Sequence, residues 1–281
     1  MRLLPSSLLP RVAASLGLAI TAVGELAAAA TAESVRCGDS LERDTILRDD
    51  LIDCRGDGLV IAADAITVNL NGHTVDGIGS DDSAGIRIDS HDGVTIINGS
   101  LRQFGYGIYL VDAADNRVLD NTVTEIDMDG IMADSRSSGA VITGNKASKS
   151  GETSGFEWAD GIDVRGSRAT IEHNIVADNH DDGIDPNGDK DRVAYNTVEG
   201  SGADGIDIDG AAADITHNTA SGNGEDGIGI GSGASRPDIW QNTTNDNTVL
   251  GIHAIEGTVD GDGNRAANNG DDRQCVYVHC D

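Results

Sequence analysis

Basic residues are scarce in this chain: Lys and Arg number 19 of 281, against 48 Asp and Glu, for a net charge of −29. Nucleic acid is excluded as a partner on that ground, because phosphate binding needs clustered Lys and Arg. Aromatic residues make up only 3% of the sequence. Leucine is nearly missing from residues 57 to 254, so a leucine-rich solenoid lacks its framework. Helical spacing of apolar residues is not sustained anywhere in that stretch. The four cysteines include no Cys-x-x-Cys pair, and only His279 lies close to one, which leaves zinc without a ligand set. Beyond residues 1–32 no hydrophobic run approaches the length of a membrane span.

What the chain does have is a repeat. Gly-Ile, once Gly-Leu, returns at Gly58, Gly85, Gly107, Gly130, Gly161, Gly183, Gly205, Gly227 and Gly251, at intervals of 27, 22, 23, 31, 22, 22, 22 and 24 residues. An asparagine follows each glycine at a distance of 13 to 15: Asn71, Asn98, Asn121, Asn145, Asn174, Asn196, Asn218, Asn242 and Asn264. Self-similarity of this period marks stacked units that bury a face only against their neighbours. Within each unit, Ile, Val and Ala alternate with polar residues, as in Gly205-Ile206-Asp207-Ile208, which is the chemistry of short strands. Turn pairs such as Asp-Gly and Ser-Gly separate them. The expected fold is all-β: a parallel β-helix of nine to ten coils, two or three strands per coil, with the asparagines stacked as an internal ladder.

Organisation follows from the ends. Residues 1–32 carry Arg2 and Arg11, an Ala-rich apolar run and Ala30-Thr31-Ala32, and read as a secretory signal peptide cleaved near Glu33. Its removal takes the net charge to about −30 and places the mature protein outside the cytoplasm, secreted or in the cell envelope, with no membrane span. Residues 33–56 form an N-terminal cap, 57–270 the repeats and 271–281 a C-terminal cap. Four cysteines allow three pairings. The local one, Cys37–Cys54 with Cys275–Cys280, staples solenoid ends that otherwise expose strand edges.

The nine Gly-Ile-x-Ile/Val and x-Asn-x-Val/Ala registers resemble the right-handed parallel β-helix proteins of the pectate-lyase-like superfamily, over roughly residues 40 to 270. That superfamily holds pectate lyases, polygalacturonases and mannuronan C5-epimerases, so the resemblance implies an extracellular, acidic polysaccharide as partner and hydrolysis, elimination or epimerisation as chemistry. It does not select one activity. Asp182 matches the acidic residue of the polygalacturonase Asn-Thr-Asp motif, and Asp204 the last aspartate of Gly-Asp-Asp. Ala203 and Asp226 depart from that pattern where aspartate and histidine are required. Asp185-Pro186 partly matches the epimerases, with Asn187 in place of their histidine. A non-catalytic envelope or adhesion solenoid is the competing class.

Aligned coils give an outward column of Arg87, Tyr109, Met132, Asp163, Asp185, Asp207, Gly229 and His253. Neighbouring coils lie ~4.8 Å apart, where two carboxylates repel by roughly 3.5 kcal/mol at an effective dielectric near 20. Such a ladder splays into water, holds protons, or takes a cation. Candidate acid, base or nucleophile residues are therefore Asp163, Asp185, Asp207, Asp182, Asp204, Tyr109 and His253, with His180 a further basic group. Arg87, Arg165 and Trp158 are candidate substrate contacts. Phe156 and Trp158 sit in the long fourth repeat and either stack on sugar or fold inward onto the solenoid. Oxygen side chains at alternate positions, Asp185, Asn187, Asp189 and Asp191, are candidate ligands for Ca2+. No organic cofactor is expected, and the protein is expected to act as a monomer.

Overall fold

The structure is a computed structural model, and it describes residues 34–79, 82–151 and 158–281. The leader expected at residues 1–32 and Phe156 lie outside the described residues. Three short strands build each coil, for example Ile162–Val164, Thr170–Glu172 and Ile175–Ala177. Each strand pairs in parallel with its counterpart one coil away, which gives three sheets of eleven, ten and ten strands. No helix occurs among the described residues, and none there is long and apolar enough to cross a membrane.

The register explains why the sequence alternates as it does. Ile131, Ile162, Ile184, Ile206, Ile228 and Ile252 pair in succession and form one fully buried file. Side chains two residues apart point the same way, so the polar residue between two such isoleucines or valines faces outward. The repeating glycine has an equally local cause. A Cβ on Gly183 would overlap Val198 Cγ1 and stand 2.5 Å from the Gly205 carbonyl oxygen. Backbone from the adjacent coil passes where a side chain would sit, and only glycine allows that approach.

Seven asparagines form the internal ladder: Asn121, Asn145, Asn174, Asn196, Asn218, Asn242 and Asn264. The backbone N–H and the side-chain Nδ2 of Asn174 both donate to Asn196 Oδ1 at 3.0 Å, and Nδ2 also donates to the Ile142 carbonyl at 2.9 Å. Buried amides are thereby satisfied along the stack. Asn71 and Asn98 do not belong to it. Both are exposed and left-handed (φ 54° and 61°), and the Gly99 amide, not Asn98, meets Asn121 Oδ1.

A second ladder is not visible in the repeat. Asn223, Asn247 and Asn269 donate Nδ2 in turn, at 2.9 and 3.0 Å, and the run ends on Gln274 at 2.9 Å. Ser150, Asn179 and Ser201 continue its column, since the amides of Ser150 and Ser201 donate to Asn179 and Asn223. Serine is too short to complete the chain, and Ser150 Oγ, Asn179 Nδ2 and Ser201 Oγ stay buried without a hydrogen bond. Ser201→Asn is expected to join Asn179 to Asn223 and to stabilise the protein by about 1 kcal/mol, raising Tm by about 2–4 °C. A lower Tm would show that the column cannot admit the longer side chain.

Strand pairing continues into both ends. Asp39–Leu41, Thr45–Ile46 and Leu51–Cys54 are a full three-strand turn paired to the next. Cys275–Val276 adds the eleventh strand of the first sheet. Disulfides join Cys37 to Cys54 and Cys275 to Cys280, and no free cysteine is left for zinc.

Candidate functional site

The outer face of the eleven-stranded sheet carries the column Arg87, Tyr109, Met132, Asp163, Asp185 in direct register, continued by Asp207, Gly229 and His253. Beside it runs a second row, the residues preceding the glycines. Asp129, Asp160, Asp182, Asp204 and Asp226 each accept the backbone amide of the equivalent residue in the next coil, at 3.1, 2.9, 2.7, 2.6 and 2.7 Å. One carboxylate oxygen is thus spent on a repeating strut, and the rest of the group is held on the same face as the first column. The two rows, joined by Asp181, merge into overlapping triads: Asp129, Asp160 and Asp163; Asp160, Asp181 and Asp182; Asp182, Asp185 and Asp207. Carboxylate oxygens within a triad lie within 4.8 Å of one another.

Burial makes this crowding costly. Asp163 is wholly buried and paired with Arg165 at 2.7 Å, yet neither of its oxygens accepts a hydrogen bond of ordinary geometry. Asp185 Oδ2 accepts from Asn187 Nδ2 at 2.7 Å, while its buried Oδ1 accepts nothing. Desolvation, reinforced by neighbouring carboxylates, pushes Asp160 up to about 10, Asp182 to about 9 and Asp185 to about 8. Asp129 and Asp204 rise to about 7 and Asp207 to about 6, again chiefly by burial. Asp163 is raised by burial as well, against the opposing pull of Arg165. At neutral pH the row therefore retains protons or surrenders them to a cation. An all-oxygen donor set with unsatisfied lone pairs could hold a hard metal ion.

The other candidates have definite places. Arg87 is committed to Asp57 through two hydrogen bonds of 2.7 and 2.9 Å, and its guanidinium lies 5.3 Å over the Tyr109 ring. Tyr109 stacks on Tyr106 at 4.3 Å, so these residues form an aromatic and basic wall before the acidic stretch. His253 Nδ1 lies 3.0 Å from Asp226 Oδ2 at the other end. Trp158 is 75% exposed and does not fold inward. Asp185 joins the carboxylate row, and Asp189 and Asp191 lie outside it. They accept the amides of Ala211 and Ala169 at 2.9 and 2.7 Å and fall in none of the triads. His180 is exposed beside Asp181. Three members of the triads, Asp129, Asp160 and Asp181, were missed as site residues; the repeated Asp-Gly step is the signal that could have found the first two.

The chain matches the family described as a right handed beta helix region over residues 43–191 and 160–280. No curated protein matches it in sequence. Among solved structures, it is similar to pectate lyase Pel9A, with a TM-score of 0.63 at 14% identity, over 88% of this chain and 71% of the lyase. A double mutant of the periplasmic alginate epimerase AlgG gives 0.61 at 15% identity, over 86% of this chain and 69% of the other. The A-module of Azotobacter vinelandii mannuronan C-5 epimerase AlgE4 gives 0.53 at 14%, over 90% and 89%. At such identities the likeness is one of fold.

Proposed function

The chain belongs to the right-handed β-helix family, and from that premise we propose that its acidic face binds a divalent cation and a uronate polysaccharide and abstracts the sugar C5 proton. The observation that carries this reading is the run of overlapping carboxylate triads with buried, unsatisfied oxygens. Ionised together without a counter-ion, these groups would repel strongly in a low-dielectric groove. Asp163, Asp185 and Asp207, with Asp129, Asp160, Asp181 and Asp182, supply only oxygen donors, and this suits Ca2+. Bound there, the ion would neutralise a uronate carboxylate and acidify the adjacent C–H. Trp158 offers an exposed ring to a sugar beside the acidic row, and Arg165 an exposed guanidinium to a sugar carboxylate. The similar structures named as alginate and mannuronan epimerases and as a pectate lyase support polyuronates as the substrate class. Two disulfides support an oxidising, extracytoplasmic location.

A hydrolase is the second reading, favoured by one pair. Asp182, at about 9, is protonated beside Asp207, at about 6, as a general acid and an ionised partner require. Incubation of the protein with uronate and neutral polysaccharides, with Ca2+ or chelator, separates the readings by product. Unsaturated ends or inverted uronate stereochemistry with Ca2+ alone is the expected result, reduced by about 10²-fold or more in Asp163→Asn, Asp185→Asn and Asp207→Asn. New reducing ends in chelator would establish the hydrolase. Neither turnover nor retention on any glycan would leave a structural solenoid.

A further inference from the structure

Building on the uronate reading above, we propose that Asp226 is a positioning residue that holds His253 as the proton-accepting base for a sugar ring seated over Gly229. Asp207, Gly229 and His253 follow one another in the outward column. Between an acidic coil and a histidine coil, therefore, lies one coil whose two outward positions, Gly229 and Gly231, carry no side chain. Carboxylates of the preceding coil occupy the space above both. A Cβ on Gly229 would overlap Asp204 Oδ2 and lie 3.3 Å from Asp207 Oδ1, and one on Gly231 would overlap Asp209 Oδ1. The acidic wall leans over bare backbone, and His253 stands two coils from Asp207, roughly 9.6 Å away at the strand spacing.

Asp226 is fastened in three ways. It is buried, its Oδ1 accepts the Leu250 amide at 2.7 Å, and its own amide donates to Asp204 Oδ1 at 2.6 Å. The remaining oxygen, Oδ2, meets His253 Nδ1 at 3.0 Å. The carboxylate selects the tautomer with the proton on Nδ1, and the basic lone pair is then on Nε2. The imidazole side chain is 55% exposed, so the ring is open to a ligand on the groove side while its inner edge is fixed. An oriented base with a free second nitrogen is what proton abstraction requires. Asp226 belongs to none of the carboxylate triads, so this pair is separate from the cation-binding oxygens.

In the step itself, Nε2 takes the proton from C5 of the uronate ring. The electron pair of that C–H bond moves into the ring's own carboxylate group as an enolate. It returns either by expelling the C4 oxygen, which forms a C4–C5 double bond and leaves that oxygen to gain a proton from water, or by capturing a proton on the opposite face. No oxidant or reductant is involved.

The test uses the full protein, the polyuronate on which it is most active, and ¹⁵N spectra of the histidine side chains. His253 is expected to show the Nδ1–H tautomer, and Asp226→Asn to shift it toward Nε2–H. The same variant should lose about 10²-fold in kcat with KM within about two-fold, because positioning acts on the reacting step. The amide oxygen introduced by Asp226→Asn can still accept the Leu250 amide, so Tm should hold. His253→Ala should lose at least as much, and the double variant no more than His253→Ala alone. Full activity in Asp226→Asn, or an unmoved tautomer, overturns this assignment while the uronate reading stands. A wild-type protein silent on every polyuronate overturns the reading itself.

Discussion

Freed of divalent cations, the protein is expected to lose stability steadily as pH rises from about 5 to about 8, and to regain it when Ca2+ is added. The sign comes from carboxyl groups whose folded values lie above the ordinary 3.8, namely Asp207 near 6, Asp129 and Asp204 near 7, Asp185 near 8, Asp182 near 9 and Asp160 near 10. Below the unfolded value both states hold these protons and burial carries no charge penalty. Above it the unfolded chain releases them while the folded groove still retains several, so the contribution is lost as pH climbs through each folded value. Every proton retained costs about 1.4 kcal/mol per pH unit. Two retained between pH 5 and 7 would remove about 5 kcal/mol, a large share of the roughly 5–15 kcal/mol that holds an ordinary domain folded. A cation binds the ionised form, and at 100 times its Kd it returns about 2.7 kcal/mol. Urea midpoints at several pH values, in chelator and in Ca2+, measure both limbs. A midpoint that climbs with pH in chelator would mean that the groove carboxylates are ionised and solvated, and with that the need for a cation would disappear.

Gly183→Ala is expected to be among the most damaging single methyl additions in the chain. The added carbon meets Val198 Cγ1 and the Gly205 carbonyl, and the second of these is backbone that no rotamer change can move. Overpacking of this kind costs about 1–3 kcal/mol and more when the backbone must yield. The coil in question lies mid-stack, where each unit is stabilised only by its neighbours, so a spread coil interrupts cooperativity along the solenoid. Gly56→Ala is the control. Nothing lies within 4 Å of its Cβ and its φ is not left-handed, so the unfolding midpoint should be unchanged or slightly higher. Equal losses in the two variants would show that the repeat glycines are conformational rather than steric.

The period-two pattern and the glycine interval were enough to read the coil, the sheet face and its outward column, because a strand's side-chain direction is local and a parallel register copies it from turn to turn. The disulfides were legible for the same reason, each closing a short local loop. Features set by the neighbouring coil were not. Asn98 has the right residue type one position early, and only the pairing of Thr122 with Ser100 shows that Gly99 occupies the rung. Serines at 150 and 201 break the second ladder's asparagine signal, though its backbone geometry continues. Arg87 reads as free to meet a substrate until Asp57, 30 residues earlier, is seen to hold it. Asp189 and Asp191 look alike as alternate residues along the chain, but one oxygen of each turns to a backbone amide on opposite neighbouring coils. The paired strands of the two end segments, Asp39–Leu41 and Cys275–Val276, lack the Gly-Ile mark, so the repeat does not reveal them.

From Gly161 to Gly227 the coils are of one length, 22 residues, and their rungs join residues 22 apart without a shift. In such a stretch an in-frame duplication of one coil would give every copied residue the partners its original had. The groove would grow by a single rung, about 4.8 Å, with no new loop to invent and no core to redesign. The length of the acidic face in this architecture can therefore change in whole increments by recombination within the gene, rather than by slow accumulation of point substitutions.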